Sequence, residues 1–186
     1  QLNHLVKTNA PQSPLRGFTV RHTYTSGGSA SSVVPAAYCD YFHDKAMLPD
    51  GRPPIDGYMI SVTSHVPAKR PSKAILVMYQ SEAEAIVSKP SPHTDEPRFR
   101  YYEIPGTGHS ISAALPVSSE ERAAARIDEV LPPGVRGLTE RSGGAPPPGM
   151  SPYDKINSPI IWALWHHMYR WNDAGIPMPK APPITR

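Results

Sequence analysis

The chain has one cysteine, Cys39, in 186 residues, so no internal disulfide framework is available to it. Placed among helix-forming residues, Cys39 reads as a small buried hydrophobe rather than a nucleophile. No apolar run approaches the ~20 residues that cross a bilayer, and no membrane span is expected. The N-terminus also lacks the charged, apolar and small-residue order of a secretory signal, which leaves the compartment open. Charge of one sign is scarce, with a net charge of only +3. The one basic cluster, Lys69, Arg70 and Lys73, lies in a proline-rich turn and reads as a solvated loop, so no nucleic-acid partner is expected. Metal-ligand spacing is missing too. Asp40, His43 and Asp44 share a helical face but read as a salt-linked solvent face, and the adjacent His166 and His167 point apart. His65 and His93 have no evident partners, and no internal repeat occurs.

Hydrophobic residues make up 39% of the chain, enough for one sizeable core, and 24 prolines imply long, well-punctuated loops. Gln1 to Lys7 reads as the end of a helix. Gly17 to Tyr24 reads as a strand, followed by a glycine turn and a helix running to about Met47. Further strands are expected over Gly57 to Val62, Ala74 to Tyr79 and Phe99 to Ile104. The run Ala74 to Met78 is nearly all apolar, as in a parallel strand covered on both faces. Ser81 can cap a short helix carrying Glu82 and Glu84 in its first turn. Ser118 to Leu131 has an amphipathic period, Leu131 to Pro152 has none, and Tyr153 to Ala174 reads as a last helix. In that helix Trp162, Leu164, Trp165 and Tyr169 read as packing on the sheet. Alternating strands and helices give an α/β fold with a mostly parallel sheet flanked by helices.

Three chemistry-bearing groups fall just after strand ends. In T-Y-T-S-G-G-S-A-S-S the serine at the sharp point is Ser29, with Gly27 and Gly28 removing side chains where backbone crowds. Ala30 can offer its N–H to a developing oxyanion. Glu82 and Glu84 follow the third strand, and His109 lies on the tight loop P-G-T-G-H after the fourth. A serine hydroxyl needs a histidine to take its proton, and that histidine needs a carboxylate to hold its tautomer. The order Ser, acid, His is the one that α/β-hydrolases use.

The segments V-R-H-T-Y-T-S-G-G-S-A-S, A-I-L-V-M-Y-Q-S-E-A-E-A, F-R-Y-Y-E-I-P-G-T-G-H and H-H-M-Y-R-W-N-D-A-G-I-P-M-P resemble, in order and through nearly the whole chain, the second half of a bacterial and fungal "alpha/beta hydrolase domain" family. The resemblance implies esterase-like chemistry with Ser29 as nucleophile and His109 as general base and acid. Its two acidic positions correspond to Glu82 and Glu84, with Glu82 favoured and Glu84 the alternative. No metal or organic cofactor is implied, and the expected substrate is a small-molecule carboxylic ester.

Two departures from the pattern stand out. Ser31 occupies a position where many hydrolases have glycine. The family's early strands, with the loop that gives the second oxyanion donor, have no counterpart. Residues 1–186 are therefore expected to form the C-terminal portion of a single α/β-hydrolase domain, with the N-terminal strands supplied by another chain or segment. Without them the first strand would border an open sheet edge. The segment from Ser110 to Pro152 is expected to close over or beside the site, because it follows His109 directly. The contrasting expectation is a non-catalytic binding or assembly subunit that keeps the triad residues without a complete oxyanion hole.

Overall fold

β3 (Ile75–Ser81) is buried at every residue, as an apolar strand with helices on both sides requires. The structure, a computed structural model, describes residues 2–63, 65–87, 96–105, 107 and 154–184. Among these, β1 (Tyr24–Gly28), β2 (Gly57–Ser61), β3 and β4 (Phe99–Ile104) form one all-parallel sheet in the order β1-β2-β3-β4. The described helices are α1 (Leu2–Lys7), α2 (Val33–Tyr41), α3 (Glu82–Val87) and α4 (Asp154–Ala174). The chain divides into two compact units, residues 1–109 with 163–186 and residues 110–162, and the sheet belongs to the first. His93, His109 and the expected helix Ser118 to Leu131 lie outside the described residues.

Alternation separates the two sheet faces. Tyr58, Ile60, Leu76, Met78, Phe99 and Tyr101 point to one face and form the core with Ala36 and Cys39 of α2. Burial pushes the Cys39 thiol up to about 12, in keeping with an inert hydrophobe. On the other face lie Met59, Val77 and Tyr79, with Met168 of α4 fully buried over them. Gly57 permits that approach, since a Cβ there would stand 2.8 Å from Met168 Sδ. The buried residues of α4 are Ile161, Leu164 and Met168, whereas Trp162 is 59% exposed and Tyr169 41%. The expected aromatic packing on the sheet therefore holds for Trp165, edge-on to Tyr24 at 5.9 Å, and fails for the other two. A 3.6-residue period puts positions 164 and 168 on one stripe and leaves 162 off it.

The first strand begins where it was expected to end, at Tyr24 rather than Gly17. Propensity favours residues 17–24, but pairing decides: Tyr24 to Gly28 match Gly57 to Ser61 in register, and β2 draws even the Ser-Gly-Gly run into the ladder. Residues before Tyr24 are held instead through Thr23, whose N–H donates to Asp56 Oδ2 at 2.7 Å. The same carboxylate accepts Lys7 Nζ at 2.5 Å, and Lys7 also donates to Pro53 O at 2.7 Å, so the buried cation is ion-paired and hydrogen-bonded.

The helix after the elbow also stops early, at Tyr41 rather than Met47. A 3₁₀ turn over His43–Lys45 follows, and it overturns the solvent-face reading of His43. His43 is completely buried, with Nδ1 2.7 Å from Tyr58 Oη and Nε2 2.6 Å from Ser72 O. Asp44 accepts from the Ser72 N–H and hydroxyl, and Asp40 from the Lys69 N–H. Arg70 is likewise no free loop cation. Its guanidinium lies 4.0 Å over the Phe99 ring and pairs with Glu96.

Candidate active site

A parallel sheet delivers all its C-terminal strand ends to one side. The chain leaves β1 at Ser29, β2 at Val62, β3 at Glu82 and β4 at Pro105, so Ser29, Glu82 and Glu84 emerge at the same side of the sheet.

Ser29 has φ +53°, the left-handed region that a non-glycine residue adopts only when its surroundings impose it. The imposition is visible around it. A Cβ on Gly27 would lie 2.5 Å from Ser31 O and 2.9 Å from Pro35 Cγ, so only glycine lets strand and helix start approach so closely. Ser31 Oγ accepts from the Gly28 N–H at 3.1 Å and donates to Gly28 O at 2.7 Å, and Ser32 Oγ donates to Ser29 O at 2.5 Å. The serine at position 31 therefore faces outward and closes the turn. Close approach is secured one step earlier, at Gly27. Ser29 opens a 3₁₀ turn over Ser29–Ser32, with Ala30 exposed in its first N–H positions, where a helix start leaves donors without intrahelical acceptors. Ser29 itself is half-buried.

Val62 repeats the strain next door. Its φ is +44°, a β-branched residue forced left-handed, and it is buried. Since Gly28 pairs with Ser61, Ser29 and Val62 occupy the next level on adjacent strands. The Val62 N–H donates to Tyr79 O at 3.0 Å. The following residue, Thr63, is gripped by the buried Gln80 side chain, whose Oε1 accepts the Thr63 N–H at 3.0 Å while its Nε2 donates to Thr63 O. Thr63 Oγ1 in turn accepts the His65 N–H at 3.0 Å. Sequence reasoning passed over Gln80 and Val62. The signal for Gln80 was present: a polar side chain closing a buried apolar strand must find partners.

At the end of β3 the two glutamates differ. Ser81 Oγ donates to Glu84 Oε2, and the Glu84 N–H lies 3.5 Å from Ser81 Oγ, so the serine at the start of α3 reaches both the main chain and the carboxylate of Glu84. The helix cap thus engages the Glu84 carboxylate, whereas Glu82 stands one residue past the strand end. After β4, Thr107 turns the chain with its hydroxyl donating to Ile104 O at 2.6 Å, two residues before His109. His109 lies outside the described residues. Among those described, no group of three His, Cys, Asp or Glu side chains is placed to hold a metal, and no helix is long and apolar enough to cross a membrane.

Among known protein families, the model described as "Alpha/beta hydrolase domain" matches residues 1–186. No curated protein and no solved structure matches the chain.

Proposed function

The chain belongs to the alpha/beta hydrolase domain family, and from that premise we propose that it is a serine hydrolase acting on carboxylic esters. The observation that carries the proposal is the left-handed backbone of Ser29, held between the crowded Gly27 and a 3₁₀ turn at a strand end. Strain of this kind, about 1–3 kcal/mol, is characteristic of sites where a side chain must be aimed. In the proposed reaction Ser29 Oγ attacks the ester carbon while His109 takes its proton. The Ala30 N–H binds the oxyanion, and His109 returns the proton to the departing alcohol. Water, deprotonated by His109, then cleaves the acyl-Ser29 bond and restores the free hydroxyl. Glu82 is the carboxylate proposed to orient His109, with Glu84, whose carboxylate accepts from the Ser81 hydroxyl, as the alternative. No metal or cofactor enters this scheme.

We further propose that strands from another chain or segment pair with β1. Among the described residues β1 has β2 alone as a neighbour, and α2 with the residue that follows it exposes Val34 at 73%, Tyr41 at 63% and Phe42 at 56%. Those exposed residues are also what favours the second reading, a binding or assembly subunit without turnover. A fluorophosphonate probe separates the two. The hydrolase reading expects covalent modification at Ser29, abolished in Ser29→Ala and strongly slowed in His109→Ala. Absence of labelling in folded protein supplied with its partner would sink it and leave the subunit reading.

A further inference from the structure

At the opposite end of the sheet, about 20 Å from the Ser29 side by strand length, a groove of about 550 Å³ opens beside the start of β4. Its lining includes Arg98, Arg100, Lys180, Trp171 and Asn172, together with a single acid, Glu96. That acid is committed elsewhere, since Arg70 Nε donates to Glu96 Oε2 at 2.7 Å. The groove is therefore cationic, although the net charge of the chain is small.

Arg100 is fixed in place. Its guanidinium lies 4.5 Å over the Trp171 ring, Nε donates to Met178 O at 2.9 Å, and Nη1 donates to Phe99 O at 2.7 Å. Those contacts leave Nη2 without a partner among the described residues, so a rigidly held guanidinium presents that nitrogen's donors at no further cost in side-chain freedom. Arg98 stands two residues earlier and lines the same groove, and its guanidinium has no bond or ion pair among the described residues. It also has φ +64°, set where the Leu76 N–H takes the Arg98 carbonyl at 2.8 Å as β3 pairs with the turn.

We infer that this groove binds the phosphate group of a phosphorylated small molecule, clasped between Arg98 and Arg100. A carboxylate fills one guanidinium fork with its two oxygens. The Arg98 fork and the Arg100 Nη2 donors together fit a dianion with three oxygens. The remaining volume, walled by Trp171 and Pro177, accommodates an organic body. The inference does not rest on the hydrolase reading, because none of its residues touches the Ser29 side of the sheet.

Calorimetric titration of the full chain with inorganic phosphate, and separately with acetate, tests it. Saturable phosphate binding is expected, about tenfold tighter than acetate, and weakened about tenfold or more in Arg98→Gly. The glycine variant removes the cation while fitting the left-handed turn, so its melting temperature should stay level or rise. Arg98→Gln, which keeps a side chain in the turn, should weaken phosphate equally and guards against a folding defect in the first variant. No saturable binding, equal affinity for acetate, or unchanged affinity in either folded variant would overturn the inference. Loss of Ser29 labelling without loss of phosphate binding would overturn only the hydrolase reading.

Discussion

Ser29 and Val62 hold left-handed backbone on neighbouring strands, and each such residue costs about 1–3 kcal/mol that the surrounding structure must offset. For Val62 the offset is traceable to the Gln80 amide, which satisfies both the N–H and the C=O of Thr63 in a buried site. Gln80→Leu keeps the bulk and strips both hydrogen bonds, leaving two main-chain groups unpaired. The expected loss is about 2–4 kcal/mol of unfolding free energy, together with slower fluorophosphonate labelling of Ser29 as the adjacent loop relaxes. An unchanged denaturant midpoint with a wild-type labelling rate would remove Gln80 from any positioning role. The elbow itself could be read from sequence because its chemistry is local: two glycines, a serine and small residues are a pattern of neighbours. The clamp joins residues 17 apart through tertiary geometry, and only the pairing of β2 with β3 reveals it.

Among the elements, the link between α2 and the sheet is titratable. His43 is buried and its basicity is lowered, chiefly by desolvation; Tyr58 and the Ser72 carbonyl face its two nitrogens. Asp44, Asp56, Lys7, Cys39 and Tyr38 are charged or titratable groups around this junction. In the unfolded chain His43 takes up a proton near its ordinary value of about 6.5, whereas the folded state resists until a lower pH. Stability is then complete above about pH 6.5, declines as pH falls toward the lowered folded value, and levels off beneath it. Asp44, held below its ordinary range mainly by the Ser72 hydroxyl, loses its contribution only at still lower pH, below about 4. Denaturation followed between pH 7 and pH 5 should show this decline in the wild type and a flatter profile in His43→Gln. Equal slopes would contradict it. Sequence misplaced this histidine because three polar residues at helical spacing, Asp40, His43 and Asp44, imitate a solvent face. The helix ends at Tyr41, and the 3₁₀ turn that follows rotates His43 inward. The apolar β3 was legible for the opposite reason, since burial on both faces imposes composition residue by residue.

On the scale of the whole molecule the sheet treats its two described edges differently. β1 offers its outer backbone, while β4 is crossed by the proline-rich stretch from Gly175 to Ile184. Arg100 and Tyr102, on one face of β4, donate to Met178 O and Pro179 O; Glu103, on the other, accepts the Ile184 N–H at 2.8 Å. Met178 is buried, and prolines at 177, 179, 182 and 183 cannot extend a ladder, so the strap seals that edge against further strands. A chain ending at Gly175 should melt lower and self-associate in light scattering, whereas a stable, monodisperse truncation would show that the strap is dispensable.

The strap also has a consequence in time. Met178 lies 78 residues beyond Arg100, so a ribosome adding ~5–20 residues per second completes β4 roughly 4–16 s before its cover exists. During each round of synthesis that outer strand lacks the segment that later shields it. Chaperone demand should therefore concentrate in this interval and fall once the final prolines have emerged.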